Sequence, residues 1–124
     1  MVLVDTSVWI SHFRKKCDHL IRLLNNGGVA THPFVIGEIA CRRLKNREEI
    51  LSLLRSLHAT VAVSDEELLH FIEVRRLMGK GIGLIDVHLL AAAVVARVPL
   101  WTYDRKLAAV AGEMEIGYVP LESR

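Results

Sequence analysis

The chain has 124 residues, 52% of them hydrophobic and 24% charged, with a formal net charge of +2. This composition excludes a disordered tail, and the length fits one domain spanning 1–124 with a real core. So small a net charge is no footprint of nucleic-acid binding by itself; only the placement of the charges could be one.

Met1-Val-Leu-Val4 is an apolar run that ends in Asp5, which reads as a buried strand of a parallel sheet. Thr6 or Ser7 is suited to cap the short helix that follows, and Arg14-Lys-Lys16 closes it. Cys17, Leu20, Ile21 and Leu24 share one helical face, and Asn25-Asn-Gly-Gly28 is a stop signal. Val29–Thr31 is a second strand candidate. Pro33 suits a first helical position, and the helix it opens carries Glu38 in its second turn.

Arg42, Arg43, Lys45 and Arg47 follow as a basic helix end, complementing the backbone dipole. Ile50, Leu53, Leu54 and Leu57 define the next amphipathic helix. Ala59–Val63 is expected as a third strand, and Ser64 with Glu67 as a capping box on a helix running to Met78. Three glycines between 79 and 83 make a loop.

Leu84–Ala96 is apolar on nearly every face and is predicted to be a helix buried all round, with Asp86 in its first turn. Leu100–Thr102 forms a fourth strand leading to Asp104. A helix over Arg105–Ala111 and a last strand near Tyr118-Val119 complete the pattern. Strands alternating with helices predict a three-layer α/β domain with a central parallel sheet.

Cys17 and Cys41 form no C-x-x-C pair and are expected as free buried thiols of a reducing cytosol. The first apolar run is too short for a signal peptide, and Leu89–Ala96 is far short of a membrane span. A cytoplasmic protein without a membrane partner is the expectation.

Asp5, Glu38, Asp86 and Asp104 each follow a strand or a glycine loop. In a parallel sheet all four would reach the carboxyl edge, where such folds keep their sites. Carboxylates gathered in one cleft repel unless cations are present, and oxygen-only ligands suit Mg²⁺ or Mn²⁺. Two such ions roughly 3.5–4 Å apart could flank a phosphodiester, activate water and stabilise the leaving oxygen.

Four stretches carry a family resemblance: Val2-Leu-Val-Asp-Thr-Ser-Val-Trp-Ile10, Val35-Ile-Gly-Glu-Ile39, Leu84-Ile-Asp-Val-His-Leu-Leu-Ala-Ala92 and Leu100-Trp-Thr-Tyr-Asp104. In this order, over a chain of this size, they resemble the PIN domains, and within them the VapC-type toxins of bacterial toxin–antitoxin pairs. The resemblance implies a metal-dependent ribonuclease restrained by a cognate VapB-like antitoxin, and a homodimer. It implies Asp5, Glu38, Asp86 and Asp104 as the acidic site, with Asp5 and Asp86 as direct Mg²⁺ (or Mn²⁺) ligands. Thr102 matches a supporting hydroxyl of the family, and Ser7 is assigned the same role. The role of the aromatic pair Trp101 and Tyr103, which flanks Thr102, is open.

Arg42, Arg43 and Lys45 are candidate contacts to an RNA backbone through their nearness in sequence to Glu38, beside the plainer reading of a solvated helix end. The histidines lack zinc spacing and read as structural or surface residues; His88 turns away from Asp86. Gly79-Lys-Gly81 is no phosphate loop. Other functions are weighed on the same residues. A receiver-type signalling domain needs adjacent acids after the first strand, where Asp5-Thr6 stands. A haloacid-dehalogenase-like phosphatase needs Asp-x-Asp, and position 7 is Ser. A non-catalytic PIN-like binding module would lack some of the acids, and none is lacking.

Overall fold

Val2–Val4 form strand β1, buried on both sides because a parallel neighbour pairs with each edge and helices cover its faces. The computed structural model describes residues 1–121, and among them four strands and seven helices alternate. The strands are β1, β2 (Val29–Thr31), β3 (His58–Ala59) and β4 (Leu100–Trp101). The helices are α1 (Thr6–Arg14), α2 (Asp18–Asn25), α3 (Pro33–Ala40), α4 (Arg47–Ser56), α5 (Asp65–Arg75), α6 (Leu84–Ala96) and α7 (Arg105–Glu113).

All strand pairs are parallel, in the order β3-β2-β1-β4. The chain winds outward from β1 to β3 and then returns to the other side of β1. The sheet therefore has its topological switch between β1 and β4, and a crevice opens there beyond the strands' carboxyl ends. α1 packs on α3, α3 on α4, α5 on α6, and α6 on β4, so the sheet lies in the middle layer as predicted. The core gathers Leu3, Val4, Trp9, Leu20, Leu54, Leu90, Trp101 and Leu107, each at most 2% exposed. Among the described residues no helix is long and apolar enough to cross a membrane.

Several local expectations are corrected. Asp5, not Thr6 or Ser7, is the N-cap of α1, because its carboxylate accepts from the Ser7 N–H. β3 is only His58–Ala59, not Ala59–Val63; at the sheet edge Val61 is 77% exposed and has no neighbour strand to pair with. The tail near Tyr118 makes a single parallel bridge, Leu100 to Gly117, not a strand. α5 stops at Arg75, where Arg76 takes a left-handed conformation, although its Ser64–Glu67 capping box forms as expected.

α6 is buried from Val87 to Ala93, but its ends emerge at Leu84 and Val95. On α4, Leu53 faces solvent and Leu51 takes its place against the core with Ile50, Leu54 and Leu57. Cys41 is exposed, so only Cys17 is partly sheltered. α3 ends at Ala40, and Arg42, Arg43 and Lys45 lie in the α3–α4 connection and not on a helix end. That removes the dipole reading of the basic run, because a dipole acts only within the last turn.

Candidate active site

The crevice at the switch point holds all four acids. Asp5 leaves β1 and caps α1; Asp104 lies three residues beyond β4 and caps α7, accepting from the Leu107 N–H at 2.9 Å. Asp86 occupies the third position of α6 and accepts from the Gly83 N–H at 3.2 Å. The reciprocal half of a capping box is absent there, since Gly83 has no side chain. Glu38 comes from α3 and accepts from Thr6 Oγ1 at 2.7 Å. Together they line one cavity of about 540 Å³ with Thr6, Ser7, Arg14, Arg42 and Tyr103. Three helix N-termini, those of α1, α6 and α7, open onto it and favour negative charge.

Asp5 is the most buried of the four, at 6% exposed. Its Oδ2 accepts from Ser7 Oγ at 2.6 Å, Thr102 Oγ1 at 2.8 Å and the Ser7 N–H at 3.3 Å. The direction of these bonds follows from the backbone behind them. The Tyr103 N–H donates to Ser7 Oγ and the Asp104 N–H donates to Thr102 Oγ1, so each hydroxyl's single proton is free to point at Asp5. Thr102 and Ser7 thus both donate side-chain hydrogen bonds to Asp5.

Each acid has one oxygen held by protein donors: Asp5 Oδ2, Glu38 Oε1, Asp86 Oδ2 and Asp104 Oδ1. Among the described residues no donor engages the second oxygen of any of them. A set of oriented carboxylates, each with one oxygen uncommitted, suits a hard divalent cation. Among the described residues no three acid, His or Cys side chains close into a finished cage around one point.

Asp86 carries the electrostatic record of this crowding. Burial foremost raises its pKa above the usual carboxylate value, and Asp5, Asp104 and Glu38 push it the same way, against the Gly83 hydrogen bond. Burial is thus the larger cause and like-charge repulsion the smaller.

Beside the acids lies a second cavity of about 520 Å³, lined by Arg14, Lys16, Arg42, Arg43 and Lys45. Arg14 and Arg42 line both cavities, whereas Arg43 and Lys45 line only the basic one. Thr6 and Tyr103, which both line the cleft, were not among the sequence candidates. Thr6 orients Glu38, and its only sequence signal is a hydroxyl next to Asp5. Tyr103 lines the cleft with its ring half exposed.

The histidines are structural where buried. His32 caps α3 through Nδ1, with Phe34 N–H donating at 3.0 Å, and His88 packs edge-on to Phe34, away from the cleft lining.

Residues 2–113 match the family model described as PIN domain. Among curated proteins the chain is similar to Ribonuclease VapC32 of Mycobacterium tuberculosis, with 41% identity over 114 residues, 91% of this chain and 92% of that protein. It is also similar to Ribonuclease VapC1 of Methanocaldococcus jannaschii, with 29% identity over 109 residues, 85% of this chain and 76% of that protein. Among solved structures, PAE2754 from Pyrobaculum aerophilum superposes with a TM-score of 0.65 at 17% identity, covering 88% of this chain and 83% of its own. That likeness concerns the fold alone.

Proposed function

The chain belongs to the PIN-domain family, and from that membership we propose that its acidic crevice is the active site of a VapC-type toxin, a ribonuclease that hydrolyses RNA phosphodiester bonds. The observation that carries this reading is the meeting of Asp5, Glu38, Asp86 and Asp104 in one cavity, each with one oxygen held and the other uncommitted.

The carboxylate chemistry suits Mg²⁺ or Mn²⁺, which Asp5 and Asp86 would hold, with Glu38 and Asp104 completing the acidic surround. A bound divalent cation would supply Lewis-acid stabilisation of phosphoryl charge and would lower the pKa of a water. The chain's own residues do the rest. Ser7 and Thr102 hold Asp5 in one rotamer, so that its free oxygen has a defined direction. Thr6 does the same for Glu38. Arg14 and Arg42, on the same cavity wall set, offer charge to the phosphates flanking the scissile one.

A toxin of this kind works against RNA in the cytoplasm and is restrained by a VapB-like antitoxin; we assign both to this protein, together with assembly as a homodimer. The deciding experiment maps cleavage sites on total cellular RNA after brief expression of the wild type beside Asp5→Asn. Discrete new 5′ ends are expected with wild type alone, and in vitro they disappear with EDTA and return with Mn²⁺. Identical RNA from both strains would overturn the assignment.

A further inference from the structure

We propose that Tyr103 is a base-stacking platform, on which one unpaired RNA base rests beside the acids and is selected as part of the cleavage site. The inference rests on the ribonuclease reading above and adds a specificity residue to it.

Tyr103 stands between Thr102 and Asp104, so its Cα lies about 3.8 Å from that of each. It is the one aromatic residue among the described residues that line the acidic cleft. Half of it is exposed, directly after the buried Trp101 and Thr102. Yet it is held firmly. Its N–H donates to Ser7 Oγ at 3.0 Å. With Cys17 and Trp101 it also lines a neighbouring cavity of about 330 Å³. Trp101 meets the ring edge-to-face, with centroids 6.0 Å apart and planes at 86°.

A ring whose backbone is fixed and which packs against Trp101 loses little entropy when a flat partner settles on its open surface. Single-stranded RNA offers such partners, because unpaired bases stack on aromatic side chains when they are splayed from the strand. Arg14 and Arg42 supply backbone contacts on the same cavity, so a strand drawn across the acids has both its phosphates and one base within reach of protein groups.

The test uses an Asp86→Asn background, which removes cleavage, and single-stranded RNA with 2-aminopurine placed at successive positions. The parent is expected to quench fluorescence at one position near the cleavage site. Tyr103→Phe keeps that quench. Tyr103→Leu loses it and binds roughly 5- to 150-fold more weakly. Replacing the same nucleotide by an abasic one gives a comparable loss, and the two changes together cost no more than either alone. A merely structural Tyr103 predicts losses that add. The inference is overturned by quenching at no position in the parent, by unchanged quenching in a Tyr103→Leu protein that melts like the parent, or by additive losses. Each of these, with RNA cleavage by the wild type intact, leaves the ribonuclease reading standing. Wild-type protein that neither binds nor cleaves RNA overturns both.

Discussion

Thr102 Oγ1 donates a 2.8 Å hydrogen bond to Asp5 Oδ2 across 97 positions of sequence. The bond joins the carboxyl ends of β1 and β4, the two strands on either side of the topological switch. It aims the most buried acid of the cleft, and through the Asp104 N–H on the same hydroxyl it ties two of the four acids to one geometry.

Removing that hydroxyl should loosen Asp5 without removing its charge. Thr102→Val is expected to lower metal affinity and RNA cleavage by about 10- to 100-fold, the usual cost of a lost supporting partner. Thr102→Ser should restore most of it. Calorimetric Mn²⁺ titration of the three proteins checks this; equal affinities would show that Thr102 does not orient the ligand.

The acids themselves should be indispensable to cleavage and dispensable to the fold. Asp5→Asn and Asp86→Asn each keep an acceptor for the donors seen here while losing the charge that a cation needs. Cleavage should fall to background with circular dichroism unchanged. Full cleavage by a well-folded Asp86→Asn protein would remove that residue from the site.

Asp86 also links function to stability. Its folded pKa is raised, so the folded state binds more protons than the unfolded one. Its stabilising contribution is complete below the unfolded value of about 4, falls as pH rises through the raised folded pKa, and is flat above it. Asp86→Asn should abolish this component. Metal that binds only the native state should add about 2.7 kcal/mol at a hundred times its dissociation constant. Thermal melts of both proteins from mildly acidic to neutral pH, with and without Mn²⁺, give the answer. A wild-type melting temperature indifferent to saturating metal would contradict a cation site among these acids.

His32 has the opposite sign. It is fully buried, and burial first, then the neighbouring His88, holds its pKa at about 4, below the ordinary 6.5. Its contribution is complete above pH 6.5 and is lost as pH falls toward 4, by up to about 3 kcal/mol. His32→Asn keeps a cap acceptor for the Phe34 N–H but does not titrate. Chemical denaturation between pH 7 and 4.5 should show a shallower acid loss for the variant; parallel curves would mean that His32 is not held neutral.

The basic connection gives a salt test. If Arg42, Arg43 and Lys45 each meet a phosphate, replacing all three by Gln should lower the slope of log affinity against log salt by about 2 for single-stranded RNA. Repeating it with Arg42→Gln alone separates the residue that reaches the acidic cavity from the two that do not. An unchanged slope would return the run to an ordinary solvated loop.

The sequence by itself determined the order of the four strands and seven helices, though it also predicted a last strand that does not form, the parallel sheet, and the four acids that share one cleft. It could do so because the relevant signals are short-range. The apolar run ending in Asp5, the glycine loop before Asp86 and the β4–Asp104 junction each place an acid within a few residues of a strand or helix end. The Ser64–Glu67 capping box is equally local, and it forms as read. Only the tertiary structure decided which hydroxyl faces which acid. Thr6 with Glu38 and Thr102 with Asp5 are separated by 32 and 97 positions, and such contacts depend on crossovers and strand register. It also decided exposure where local pattern misleads. Val61 and Leu53 look like core residues in one dimension, but the sheet edge and the limited reach of the core leave them in water. Tyr103, between two site residues, is presented to the cleft because Ser7, 96 positions away, and Trp101 hold it there.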